Sequence, residues 1–225
     1  MKVKFSGMGV VEGRGKINGT VASKNRSGAY LRVKVSGVNP QTTYQQAARN
    51  QLTTLSQGWR ALTQPARDAW NSAVSNFART DIFGDLRNPT GKNLYTRLNA
   101  NILNVGGTAI DSPPLPDGAG PAVIGAIVMT EGGAKTVAHN VTAAAFPLQV
   151  WATPPVSPGK SFLKGDYRLI QTLAGAATSP SDISTAYEAR FGEPTADQKV
   201  GVMLVPININ TGESGTGSAG TTIVV

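Results

Sequence analysis

The stretch from Val38 to Trp70, VNPQTTYQQAARNQLTTLSQGWRALTQPARDAW, decides the fold. Asn39 followed by Pro40 has the form of a helix N-cap with proline at the first helical position, so a helix is predicted to begin there. Four apolar residues then recur at helical spacing: Ala48, Leu52, Leu55 and Trp59. They predict one narrow apolar stripe on a helix whose other faces are polar and must meet water or a partner.

Two further helices are predicted after the first. Thr63 caps the second, with Pro65 in its first turn, and Thr90 caps the third, which ends at Gly106. The inner face of the second helix carries Ala66, Ala69, Trp70, Ala73 and Phe77. The inner face of the third carries Leu94, Tyr95, Leu98, Ile102 and Val105. We expect the three helices to form one small bundle, with Trp59, Trp70 and Tyr95 as its core anchors.

The segment before the helices, residues 1–37, is rich in glycine and basic residues and predicts a β-arm. From Tyr30 to Val35 cationic or aromatic residues alternate with apolar ones, which is typical of a half-buried strand. The preceding turn is predicted near Asn25 to Gly28. We expect four cations to lie close together on this hairpin: Lys24, Arg26, Arg32 and Lys34.

The second half of the chain has a different pattern. A proline-rich segment, residues 111–121, predicts a semi-rigid linker. After it, short apolar runs separated by turns predict six or seven strands of an antiparallel immunoglobulin-like sandwich, with Trp151 in its core. One helix is predicted within the sandwich, beginning with Ser179 as cap and Pro180 at its first position and ending at Gly192.

The predicted fold class is therefore α+β, with a glycine-rich β-arm, a three-helix segment and a C-terminal sandwich. The predicted domains are residues 1–110, a linker over residues 111–121, and residues 122–225. The composition fits this class, because 26 glycines and 14 prolines suit a turn-rich protein and 40% hydrophobic residues allow a core.

Charge is distributed unevenly between the two halves. Residues 1–100 contain 15 Lys and Arg against 4 acids, whereas residues 101–225 contain 6 against 9. A basic half is compatible with nucleic acid, an acidic neighbouring subunit, a membrane surface or simple solubility.

The sequence suggests no catalytic, metal or cofactor site. Cysteine is absent, and His139 is the only histidine. Five carboxylates of the second half show no metal-ligand spacing: Asp166, Asp182, Glu188, Glu193 and Asp197. The spacing of Gly13, Gly15 and Gly19 does not match a dinucleotide-binding loop. The chain is therefore predicted not to be an enzyme.

The sequence also lacks an apolar run of the ~20 residues that a membrane-spanning helix requires, and its first residues do not resemble a signal peptide. We expect a protein made in the cytoplasm, with no membrane partner, which leaves only as part of an assembly.

Several short motifs lie between Gly15 and Gly106. Their residues are Gly15, Lys16, Ile17, Gly19, Asn25, Arg26, Gly28, Tyr30, Arg32, Asn39, Pro40, Thr42, Gln45, Gln46, Arg49, Trp59, Arg60, Thr63, Arg67, Trp70, Gly84, Thr90, Gly91, Tyr95, Arg97, Leu98 and Asn99. With these motifs the segment resembles a family of tailed-bacteriophage virion proteins, including those of phages that infect Bacteroidetes, such as the crAss-like group. The second half resembles that family only as a β-rich domain with the motifs PGKSF and VPININTG.

The resemblance implies a structural subunit of the virion, assembled in the host cytoplasm, whose partners are copies of itself and neighbouring virion proteins. It suggests a head–tail neck ring, also called a connector, or a capsid-associated position. The residues predicted to form subunit contacts are Lys24, Arg26, Tyr30, Arg32, Lys34, Gln45, Gln46, Arg49 and Arg60. The alternative is a basic packaging or cargo protein that binds the phage DNA through the same cations.

Overall fold

The computed structural model describes residues 2–6, 9–37, 39–140, 146–175 and 177–225. The protein is a mixed α+β chain with antiparallel sheets, and its described residues include four α-helices. It divides into two compact units, Met1–Gln46 and Ala47–Val225.

The first unit is built around a four-stranded antiparallel sheet, here called the N-terminal sheet. Its strands, in sheet order, are β1 (Lys2–Ser6), β2 (Gly9–Ile17), β3 (Thr20–Asn25) and β4 (Gly28–Val33). The predicted turn between β3 and β4 is confirmed: Arg26 and Ser27 form it, and Gly28 follows with a φ of 120° that favours glycine. The Asn25 side-chain oxygen accepts a hydrogen bond from the Ser27 N–H and closes the turn.

The helices follow the N-terminal sheet. They are α1 (Thr43–Ala61), α2 (Gln64–Ala73), which continues as a 3-10 turn over Val74–Phe77, and α3 (Gly91–Asn104). A small hairpin of β5 (Arg79–Thr80) and β6 (Leu86–Arg87) lies between α2 and α3. Thr63 and Thr90 occupy the predicted N-cap positions. The Thr90 hydroxyl accepts a hydrogen bond from the Asn93 N–H, whereas the Thr63 side chain makes no capping hydrogen bond.

The predicted start of α1 is wrong. The helix begins at Thr43, because Gln41 adopts a left-handed φ of 51° that interrupts any helix beginning at Pro40. Thr42 takes the role predicted for Asn39, since its hydroxyl oxygen accepts a hydrogen bond from the Gln45 N–H at 3.3 Å.

An aromatic and leucine cluster forms the core between the helices. Trp70 and Tyr95 are fully buried, as predicted, and Trp59 packs half-buried at the edge with its ring centroid 5.5 Å from that of Tyr95. The stripe predicted on α1 is shorter than expected, because Leu52 is exposed and Leu55 is its one fully buried residue among those described.

The strands of the second half form two further sheets. In chain order they are β7 (Val123–Met129), β8 (Lys135–Asn140), β9 (Leu148–Ala152), β10 (Arg168–Leu173), β11 (Ser181–Asp182), β12 (Lys199–Pro206) and β13 (Ser218–Ile223), with α4 (Ser184–Phe191) after β11. The sheet orders are β10-β9-β12-β13 and β11-β8-β7. Residues from both sheets and from α4 pack in one hydrophobic core that includes Met129, Val137, Val150, Val202, Leu204 and Tyr187.

The predicted start of α4 is also wrong. Ser181 and Asp182 pair as a strand with Val137 and Thr136 of β8, so the helix begins at Ser184, four residues after the predicted first position at Pro180. The Asp182 carboxylate accepts a hydrogen bond from the Ser184 N–H at 2.8 Å. The predicted end at Gly192 is confirmed.

The proline-rich segment packs within the second unit. The Asp117 carbonyl accepts hydrogen bonds from the side chains of Asn208 and Thr211, both at 2.9 Å, and Ala119 is buried. The Asp117 N–H donates to the Glu213 carboxylate at 2.6 Å. These contacts hold the segment within the compact unit Ala47–Val225.

Candidate functional site

The N-terminal sheet has one apolar face. Cross-strand partners in an antiparallel pair lie on the same face, and the register pairs Ile17 with Thr20, Thr20 with Val33, and Ala22 with Leu31. Ile17, Leu31 and Val33 are 49%, 70% and 78% exposed. These three side chains, here called the apolar patch, form an uncovered hydrophobic surface.

The opposite face of the same sheet is cationic. Lys16 pairs with Val21 and Val21 with Arg32, which places Lys16 and Arg32 on one face. Tyr30 precedes Arg32 on this face, and the Lys34 N–H donates to the Gly19 carbonyl and continues the register. Lys16, Tyr30, Arg32 and Lys34 are called the cationic face below.

The expected cluster of Lys24, Arg26, Arg32 and Lys34 is therefore split. Lys24 pairs with Ala29 and so lies on the same face as Leu31, while Arg26 lies in the turn. The predicted alternation along β4 is correct, but the prediction of a half-buried strand is wrong, because both faces of β4 are exposed. Within the part of the chain that the structure describes, no strand pairs with the outer edge of β4.

The other predicted contact residues lie on α1. Gln46, Arg49 and Arg60 are exposed, whereas Gln45 is half-buried. Arg49 and Arg60 are eleven residues apart, which corresponds to just over three helical turns, so they share one side of the helix. The Arg60 carbonyl accepts a hydrogen bond from the Arg67 guanidinium at 2.6 Å, which ties the end of α1 to α2.

Trp151 does not occupy the predicted position in the core. Its neighbours Val150 and Ala152 are the core-facing residues of β9, and a strand turns alternate side chains to opposite faces. Trp151 therefore lies half-buried on the outer face of the sheet, across from Met203 and Leu169. The Trp151 indole N–H donates to the Gln149 side-chain oxygen at 3.2 Å.

This outer face forms the floor of a groove of about 840 Å³. The floor carries Gln149, Trp151, Met203 and Val205, and the loop from Ser161 to Tyr167 lines one side. Arg79, Arg97 and Asn101 line it as well. The residues of this groove come from distant segments, so no local sequence pattern predicts it. The one sequence signal is that Gln149 and Trp151 alternate with the core residues of β9.

The groove combines apolar surface with positive charge. Arg79, Arg97 and Lys164 line it, and no Asp or Glu is among the described residues that do. Burial lowers the pKa of Arg97, the neighbouring Arg79 lowers it further, and Glu213 partly opposes both effects. The Gln149 side chain is 3% exposed, and its amide nitrogen has no hydrogen-bond partner.

A buried lysine, Lys135, stabilises the β11-β8-β7 sheet. The Lys135 ammonium group is fully buried and donates to the carboxylates of Glu188 at 2.6 Å and Glu193 at 2.9 Å. Burial alone would lower the pKa of Lys135, but the hydrogen bonds to both glutamates outweigh it and raise the pKa. Because the Lys135 ammonium of β8 donates to the Glu188 carboxylate of α4, this cluster anchors α4 on β8.

His139 lies nearby in the same sheet and is buried. Its Nε2 is 2.8 Å from the Ser181 hydroxyl oxygen, and that hydroxyl donates to the Thr178 carbonyl at 2.9 Å. Nε2 must therefore carry the hydrogen, because the hydroxyl has only one to donate. Burial lowers the pKa of His139. The serine is thus the acceptor of this hydrogen bond, which is the reverse of an activated nucleophile.

Among residues 2–6, 9–37, 39–140, 146–175 and 177–225, no three His, Asp or Glu side chains are grouped so that they could hold a metal ion. No helix in the same ranges is both long and apolar enough to cross a membrane.

Comparisons of the chain with protein-family models, with curated proteins and with solved structures gave no match.

Proposed function

We propose that this protein is a structural subunit of a tailed-bacteriophage virion that acts through contacts between subunits. The observation that carries the proposal is the apolar patch of Ile17, Leu31 and Val33 on the N-terminal sheet. Contiguous apolar side chains left open on a small sheet mark a surface that binds another protein. The resemblance of residues 15–106 to virion proteins supplies the kind of assembly.

The edge of the N-terminal sheet supports the same proposal. The outer edge of β4 carries backbone N–H and C=O groups that can pair with a strand of a neighbouring subunit. Strand addition at this edge would bring the apolar patch against the neighbour at the same time. In the second unit, Arg49 and Arg60 lie on one side of α1 and are proposed as separate contact residues.

The second half fits an immunoglobulin-like β-sandwich in this proposal. Two antiparallel sheets contribute residues to one hydrophobic core, and β9 and β12 alternate core-facing with outward-facing residues. Such a domain would serve as the rigid body that the N-terminal sheet attaches to the particle.

Either a head–tail neck ring or a capsid-associated position is compatible with this role. The basic first 100 residues and the acidic remainder favour head-to-tail contact between copies, which closes into a ring. Quantitative mass spectrometry of purified particles separates the two positions: about a dozen copies per particle supports a ring, as cyclic closure requires, and hundreds support the capsid.

The proposal is tested by making the apolar patch polar. A chain with Leu31→Thr and Val33→Thr keeps two residues with high strand propensity, so the sheet should remain folded. We expect its incorporation into particles to fall at least tenfold, a loss that corresponds to about 1.4 kcal/mol of contact energy. Leu115→Thr is the matched control, because Leu115 is 81% exposed in the other compact unit. Normal incorporation of the double variant would refute the proposed role.

The cationic face favours one alternative, a packaging or cargo protein that binds DNA. Lys16, Arg32 and Lys34 beside Tyr30 are the residue types that contact phosphates and stack on bases. Fluorescence anisotropy with duplex DNA at increasing salt tests it. Affinity that falls steeply with salt and is lost with Arg32→Gln plus Lys34→Gln would favour DNA binding over the structural role.

A further inference from the structure

The groove on the outer face of the β10-β9-β12-β13 sheet is built differently from the apolar patch. Its floor is a continuous row across three strands, because Trp151 lies opposite Met203 and Met203 lies opposite Ala219. Its volume of about 840 Å³ is within the range of roughly 300–1,000 Å³ that holds small molecules in proteins. A groove of this volume therefore suits a small molecule that lies inside it better than a second protein that lies over it.

The polar groups of the groove identify the chemistry of that ligand. Gln149 presents an amide N–H₂ without a partner at 3% exposure, so the complement must be an acceptor oxygen small enough to reach the floor. Arg79 and Arg97 line the same groove, and a guanidinium pairs best with a carboxylate. The apolar part of the ligand would lie on Trp151, Met203 and Val205.

The Arg97 guanidinium is also held in place before any ligand arrives. Its central carbon lies 5.8 Å from the centre of the Phe77 ring, a cation–π contact with a residue of the helical core. Asn101, one turn further along α3, donates to the Gly212 carbonyl at 2.8 Å and fixes the end of the helix that carries Arg97. A fixed cation loses less conformational entropy on binding than an exposed flexible one.

We propose that this groove binds a small amphipathic carboxylate, with its apolar body on the row of Trp151, Met203 and Val205, its carboxylate at Arg97 and Arg79, and an oxygen that accepts from the Gln149 amide. This inference is independent of the virion role, because it concerns the second compact unit and a different kind of partner.

The test compares octanoate with octan-1-ol, which share a chain length and differ in charge. The ¹⁵N–¹H signals of the full-length chain, including the side-chain amide of Gln149, are followed by NMR during each titration. We expect octanoate to shift the Gln149 amide signals and to bind about tenfold tighter than the alcohol, as one charge-assisted hydrogen bond implies. Arg97→Gln should reduce this preference and leave the affinity for octan-1-ol unchanged, because Arg79 still lines the groove.

Two further variants keep the test decisive. Arg79→Gln removes an exposed arginine and should weaken octanoate binding even if Arg97→Gln does not fold. Lys92→Gln removes an exposed cation from the same helix as Arg97 but outside the groove, and should change nothing. Equal affinities for the acid and the alcohol, or unshifted Gln149 signals, would each overturn the proposal.

Discussion

The rings of Trp70 and Tyr95 meet edge to face, with centroids 5.4 Å apart and planes at 88°. Both side chains are buried, and the Trp70 indole N–H donates to the Asp111 carbonyl at 2.8 Å. The pair therefore joins α2, α3 and the segment after α3. Aromatic pairs in this geometry contribute beyond the area they bury.

Trp70→Ala should lower the free energy of unfolding of the second unit by about 3–5 kcal/mol, because it leaves a large cavity and an unpaired carbonyl. Leu52→Ala, on the exposed side of α1, should change it by no more than about 0.5 kcal/mol. Urea unfolding followed by circular dichroism measures both. Similar losses in the two variants would mean that the helical core is not organised around Trp70.

Gly212 is required where the loop after β12 meets α3. It has a φ of 73°, and a Cβ atom at this position would clash with the Leu98 carbonyl oxygen. Gly212→Ala should destabilise the protein by at least about 1–2 kcal/mol from the left-handed backbone alone, with the clash adding to this loss. Gly118→Ala is the control, since its Cβ would meet open space. Equal melting temperatures for the two variants would contradict this account.

His139 should give the stability of the protein a defined pH dependence. Its pKa lies below the ordinary value of 6.5 in the folded protein because the ring is buried. Above pH 6.5 the ring is neutral in both the folded and the unfolded protein, so its contribution to the free energy of unfolding is fully present. As the pH falls, the unfolded chain takes up the proton first, and stability is lost progressively down to the folded pKa.

Because His139 is the only histidine, the change of the unfolding free energy with pH between about pH 6.5 and pH 5 should come mainly from this one side chain. His139→Gln retains an amide donor for Ser181 and should flatten that slope. Chemical denaturation of both proteins at a series of pH values measures it. Parallel slopes would show that another group controls the acid response.

The success of the sequence predictions depended on how local their causes are. Thr63 and Thr90 occupy the predicted N-cap positions, and Thr90 also makes the capping hydrogen bond, because a helix start is decided within a few residues. The cap predicted at Asn39 failed through the backbone of Gln41, and the one predicted at Ser179 failed because Ser181 pairs with Val137, a residue distant in sequence. Tertiary pairing overrode the local signal in the second case.

The candidate surfaces show the same limit. Alternation correctly predicted two unlike faces on β4. It did not predict that Leu31 is exposed, because alternation does not show whether another element packs on the apolar face. The prediction put Trp151 on the wrong face of β9. Alternation shows which residues share a face, but it identifies the buried face only when one residue is known to be buried. The groove needed the register between β9 and β12 and the placement of Arg97 on α3, which no local pattern encodes.

In the proposed virion role the apolar patch is buried against another subunit, and the absence of cysteine allows this burial to be measured directly. Leu31→Cys places one thiol in the patch, and Leu115→Cys places one on an exposed site of the other unit. Each variant is labelled with a maleimide as the isolated chain and within purified particles. The account predicts that the thiol at position 31 reacts in the isolated chain and is protected in particles, while the thiol at position 115 shows no such selective protection. Labelling of position 31 at the same rate in both states would contradict it.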